Sequence, residues 1–195
     1  NYKITKSVVY KENQYKMCYQ WYLAPSKLAN MYPNLNPTCW KCKLARGTFF
    51  HTWWLCSKSK KYWKKIRIWI KEITNIQLEF KAEIFLLGML KSEYPKEMKY
   101  LILHIITAAR IALAQCWKGD QMPTNNLIIQ KVLDCAEMDL LTQNLRDKVD
   151  TNCTIAWEKW YNYSTWVYIP LYSALQPSQS GLRSQAYCPQ RSGPS

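Results

Sequence analysis

Residues 39–65 read CWKCKLARGTFFHTWWLCSKSKKYWKK. Three cysteines and a histidine stand in the order Cys39-x2-Cys42-x8-His51-x4-Cys56. A Cys-x2-Cys pair lets two thiolates reach one ion from a tight turn, and a later His-x4-Cys pair can complete a tetrahedron. Three sulfurs and one imidazole suit Zn2+ and leave the site with a net negative charge. Lys41, Lys43, Arg46, Lys58, Lys60 and Lys61 stand close enough in sequence to offset it. The competing reading is a reduced, aromatic piece of core, with free thiols and a hydrogen-bonded His51. The other cysteines near apolar patterns, Cys18, Cys116, Cys135 and Cys153, are read as buried thiols, and His104 as a core histidine.

The second half of the stretch reads as a helix following Ser57, with Ser57 as its N-cap. At 100° per residue, Lys60, Lys64, Arg67 and Lys71 share one face, while Tyr62, Ile66, Trp69, Ile70 and Ile73 lie opposite. One side can bury and the other can hold phosphates, with Lys41, Lys43, Arg46, Lys58, Lys61 and Lys65 adding to the nucleic-acid-binding set. Trp40, Phe50 and Trp53 are candidates to stack on unpaired bases, against a plainer role as the plug of a small metal module.

Charge follows the same division. Residues 1–75 hold fifteen Lys/Arg and two Glu, so nearly all of the net charge of +14 sits in the first two-fifths of the 195-residue chain. A one-sided positive field favours polyanions, nucleic acid before an anionic membrane. The sequence opens without a charged-then-apolar leader, so an intracellular protein of cytoplasm and nucleus is expected, its cysteines reduced or bound to metal.

Outside the quoted stretch the signals are helical. A short helix is expected at 26–31, a buried one at 80–90, a long central one at 96–118 introduced by Pro95, and another at 125–148 capped by Thr124. On the last, Ile128, Val132, Cys135, Met138, Leu141 and Leu145 make one apolar stripe, and Asp134, Glu137 and Asp139 read as solvated. A shorter helix is expected around 155–161. The segment YLILHIITAARIALAQCW at 100–117 nears bilayer length, but His104, Arg110 and Gln115 interrupt it, which favours a buried helix over a membrane span. From 162 the sequence turns rich in Ser, Pro, Gln and Gly without a period, as a disordered tail would.

The fold expectation is therefore mainly α: a small zinc-knuckle-like module and its basic helix (39–75), preceded by an aromatic and basic segment (1–38) and followed by a helical bundle (76–161) and the tail (162–195). Paired metal-binding carboxylates, a Gly-rich phosphate loop and a nucleophile with its base are all missing from the pattern, so no catalytic constellation is expected.

The words YQWYLAPSKLANMYP, CWKC, GTFFHTWWLC, KKYWKKI, FKAEIFLLGML, KYLILHIITAARIALAQCWK and VLDCAEMDLLT occur in that order over about 8–160. In them the chain resembles the C-terminal part of the endonuclease/reverse-transcriptase polyprotein of vertebrate LINE-type non-LTR retrotransposons. The resemblance implies a non-catalytic segment downstream of a polymerase domain, with Cys39, Cys42, His51 and Cys56 as the signature cluster. It also implies RNA or single-stranded DNA and the rest of the polyprotein as partners. The alternative it leaves open is a scaffold that docks on the polymerase domain without touching nucleic acid. The chain departs from the family in its basic LARG loop and in everything after about 161.

Overall fold

The computed structural model describes residues 7–146 and 151–173. Their order is α1 (Val8–Cys18), α2 (Pro25–Met31), a π-helical turn (His51–Leu55), α3 (Ser57–Thr74), α4 (Ala82–Leu87), α5 (Lys96–Gln115), α6 (Asn125–Arg146) and α7 (Thr151–Ser173). The fold is mainly helical, and the described residues hold no strand, only a single antiparallel bridge between Thr38 and Arg46.

Helix α5 is the axis of the molecule and packs against α1, α3, α4, α6 and α7. Its apolar residues run nearly all round, so every face can be covered. Two of its polar interruptions, His104 and Arg110, are buried, while Gln115 is exposed. Buried Arg110 donates to the carbonyl of Leu86 and to Thr107 Oγ1, both at 2.6 Å. Leu86 lies in the last turn of α4, where unpaired carbonyls and the helix dipole attract a cation. Gly88 ends α4 at φ 68°, a left-handed cap that costs glycine little. None of the described helices is long and apolar enough to cross a membrane.

Helix α3 buries Tyr62, Trp63, Ile66, Trp69 and Ile70 and half-buries Ile73, as its periodicity requires. Tyr62 donates to the carbonyl of Ala109 on α5 at 2.8 Å, and the Trp63 indole donates to the carbonyl of Trp53 at 2.7 Å. Ser57 is the first helical residue rather than the cap. Cys56 takes the capping position, its carbonyl accepting from Lys60 N–H at 2.8 Å.

The C-terminal half departs from expectation in three places. Helix α6 buries Ile128, Val132, Cys135, Asp139 and Gln143, while Met138, Leu141 and Leu145 are 51%, 51% and 77% exposed. The buried stripe keeps its helical spacing by running onto polar residues, and Asp139 is not a solvated group. Helix α7 begins before 155 and continues to Ser173, so helix replaces the expected tail from 162 onwards. The rest of that tail lies outside the described residues, as do positions 147 and 148 of the helix expected at 125–148. One buried cluster runs from Tyr10 to Trp160, so segments 1–38, 39–75 and 76–161 share a core.

Truncating Trp63, which is fully buried, should lower the unfolding free energy by about 3–5 kcal/mol in denaturant titrations. Ile68→Ala on the exposed side of the same helix should change it by less than about 0.5 kcal/mol.

Candidate metal centre and basic face

The four predicted ligands meet. Cys39 Sγ, Cys42 Sγ, a His51 ring nitrogen and Cys56 Sγ all lie within 4.8 Å of one another, an arrangement that can hold a metal ion. Cys42 Sγ is 3.4 Å from His51 Nε2. Tetrahedral ligation by sulfur and nitrogen requires edges of roughly 3.3–3.8 Å.

Local backbone chemistry brings this about. Lys43 N–H returns to the carbonyl of Cys39 at 2.9 Å, closing the Cys-x2-Cys turn, and Lys43 adopts φ 59°. Cys39 N–H bonds the carbonyl of Ala45 at 2.8 Å, folding the loop back on itself. Gly47 packs so closely that a Cβ there would stand 2.7 Å from Pro25 Cγ and 2.9 Å from Cys39 Cα. No other residue fits without prising α2 from the metal turn. Thr48 Oγ1 accepts from His51 N–H at 3.0 Å and starts the next turn. Cys56 N–H then bonds the carbonyl of His51 at 2.8 Å. This five-residue, π-type step draws His51 and Cys56 to the same side, where an α-helix would separate them.

The electrostatics suit ligation. Burial opposes charge on Cys42, but the N–H groups of Ala45 and Leu44, with His51 and Cys39, outweigh it and bring the thiol down to about 6. Burial pushes the Cys39 thiol up, partly offset by the N–H groups of Cys42 and Lys41. Cys39 and Cys56 are wholly buried, whereas Cys42 reaches the surface.

Lys41 corrects the expectation placed on it. Its side chain is 1% exposed and turns inward, donating to the carbonyls of Cys116, Gly119 and Gln121 at 3.0, 3.3 and 3.1 Å. These carbonyls lie at and just beyond the C-terminus of α5, the negative end of its dipole. Lys41 therefore fastens the metal turn to the bundle and is closed to phosphate.

Trp53 is also corrected. It is fully buried and stacks on Trp117 with centroids 5.2 Å apart, so it cannot meet a base. Trp40 is half-buried and meets Trp117 edge-on at 6.0 Å, as part of the same plug. Of the three rings singled out for stacking, only Phe50 is well exposed, at 47%.

The remaining cations are Lys43, Arg46, Lys58, Lys60, Lys61, Lys64 and Lys71, all exposed, with Lys65 and Arg67 half-buried. Four are held at their tips, Arg46 by donating from Nη2 to Asn30 Oδ1 at 3.4 Å. Lys58 donates to the carbonyl of Asp120 at 3.0 Å, Lys65 to Asn125 Oδ1 at 2.8 Å, and Arg67 Nε to the carbonyl of Leu78 at 2.7 Å. The Lys65 ammonium also lies 5.6 Å from the Tyr62 ring centroid and 5.5 Å from that of Trp69. Two shallow hollows result. One, of about 300 Å³, is lined by Lys64, Arg67, Ile68, Lys71 and Gln77. The other, of about 270 Å³, is lined by Lys58, Lys61, Tyr62, Lys65 and Met122. Each is ringed by three cations.

No known protein family model matches the chain.

In reduced, metal-free protein near neutral pH, iodoacetamide should modify Cys42 well before Cys39 and Cys56, because Cys42 alone of the three combines exposure with a low thiol pKa. Peptide mass spectrometry reads the order, and metal loading should protect all three.

Proposed function

We propose that this chain is a non-catalytic, nucleic-acid-binding segment of a retrotransposon reverse transcriptase, C-terminal to its polymerase domain, in which a zinc clip orients a basic helix. The observation that carries this reading is the continuity of the two devices. Cys56 is both the last ligand and the N-cap of α3, and α3 turns Lys60, Lys61, Lys64 and Lys71 outward beside two cation-ringed hollows. Zinc fits the three thiolates and the imidazole of the clip. Sequence resemblance to LINE-type polyproteins supports the same assignment.

Recognition by this face is through phosphates. Its cations are solvated or anchored on backbone and side-chain oxygens, and most of its aromatic rings are spent on packing, so sequence preference is weak. The first turn of α3 holds lysines and no acidic residue, against the helix dipole, and a bound phosphate relieves that conflict. RNA or single-stranded DNA is the expected partner, in cytoplasm and nucleus.

A second reading has its own support. The Met138, Leu141 and Leu145 face of α6 is apolar and exposed, as a helix docking on the rest of a polyprotein would be. In that case the segment acts as a scaffold and the basic face meets acidic protein. Met138→Lys with Leu141→Lys should abolish such docking and leave RNA affinity unchanged.

Binding to single-stranded RNA should weaken with salt by a log–log slope of roughly −0.7 per phosphate contacted. Replacing Lys60, Lys64 and Lys71 together by Gln should reduce the steepness of that slope by about 2. Lys41→Met should leave the slope alone. A slope near zero in the unmodified chain contradicts the reading.

A further inference from the structure

The bundle contains a second convergence of ligand-type atoms that the nucleic-acid reading does not use. A His104 ring nitrogen from α5, with Cys135 Sγ and a carboxylate oxygen of Asp139 from α6, lie within 4.8 Å of one another, and each residue is 1% exposed.

The hydrogen bonds around these groups are arranged as they are around metal ligands. His104 Nδ1 lies 2.6 Å from the carbonyl of Tyr100, which can only accept. Nδ1 therefore carries the proton, and in the neutral ring Nε2 is a lone pair. That lone pair faces Asp139 Oδ2 at 3.7 Å, too far for a hydrogen bond, and His104 Nε2 and Asp139 Oδ1 both lack any hydrogen-bond partner. Cys135 Sγ stands 4.0 Å from the same Oδ2. These separations are only a few tenths of an ångström above the roughly 3.3–3.6 Å edges of a tetrahedral N, S and O set around zinc. The Tyr100 hydroxyl donates to Asp139 Oδ2 and so orients the carboxylate from outside the set.

Charge bears on the choice of occupant. Without an ion, a carboxylate and an imidazole lone pair confront each other in a wholly buried space, an arrangement that is costly in a medium of low polarity. One thiolate and one carboxylate neutralise a divalent cation, with His104 neutral, so the loaded site carries no net charge.

We infer that His104, Cys135 and Asp139 form a second, buried zinc site that clamps α5 to α6, independent of the Cys39/Cys42/His51/Cys56 clip. Asp139 Oδ1 supplies a further donor oxygen within the same carboxylate. The surrounding groups brace the clamp. The Tyr10 ring of α1 lies 5.4 Å from the imidazole, and Trp157 of α7 meets it edge-on at 5.4 Å. Loading the site therefore stiffens the junction of four helices.

Elemental analysis of the full, reduced chain tests this, with zinc as the only probe. About two zinc ions per chain are expected, falling to about one in Cys135→Ser and to about one in the Cys39→Ser/Cys42→Ser variant. One ion that is lost only with the clip variant overturns the buried site and leaves the clip standing. One ion lost only with Cys135→Ser supports the buried site and overturns the clip, and none at all overturns both. Should Cys135→Ser fail to fold, titration of the metal-free wild-type chain with Co2+ decides. Uptake of about two equivalents, with cysteine-to-cobalt absorption from each, is expected, and saturation at one equivalent by a Cys3His spectrum overturns the site.

Discussion

Four ligand-type atoms from two separate turns converge within 4.8 Å of one another, close enough to hold a metal ion, and the neighbouring backbone is arranged around that convergence. The first turn is closed by backbone hydrogen bonds at Cys39 and held tight by the close approach of Gly47 to Pro25. The second is closed by a π-type bond from Cys56 to His51. The chain leaves Cys56 as the N-cap of α3, with no linker between ligand and helix. The direction of α3 is thus set at one end by the ligand cluster and along its length by burial of Trp63, Ile66 and Ile70 against the core. Lys41 completes the frame by bonding the exposed carbonyls at the end of α5.

The cations around this frame divide by what their tips touch. Lys41 is spent wholly on structure. Lys58, Lys65 and Arg67 are tied to backbone or side-chain oxygens and so give the basic surface a fixed shape. Lys60, Lys61, Lys64 and Lys71 stand in solvent beside them. A surface with fixed walls and mobile ammonium groups loses less entropy on binding a chain of phosphates than one in which every lysine must be ordered. The Lys65 ammonium is fixed twice over, by its bond to Asn125 Oδ1 and by its place over the Tyr62 and Trp69 rings.

Much of this was legible in the sequence because it is local. The Cys-x2-Cys and His-x4-Cys spacings named the ligand set, and the 3.6-residue period of α3 named its buried and solvated faces. What escaped is long-range. Nothing near Lys41 says that the end of α5 will lie beside it, since the contact spans residues 41 to 121. Trp53 reads equally well as a stacking ring or a plug until Trp117 is placed against it. On α6, following apolar character led to Met138, Leu141 and Leu145, whereas following strict helical spacing from Val132 and Cys135 leads to Asp139 and Gln143, which are the residues buried. A carboxylate one turn after a cysteine on a buried stripe was the available signal, and its polarity disguised it.

The central claim is that the clip exists to aim the basic helix at nucleic acid. It is tested most directly by measuring the affinity of the full chain for single-stranded RNA, by fluorescence anisotropy, before and after zinc is removed with a chelator and then restored. The account predicts a loss of about tenfold or more, equivalent to roughly 1.4 kcal/mol, recovered on adding zinc back. Affinity that is the same with and without the metal, in a chain whose helical content has not changed, would contradict it.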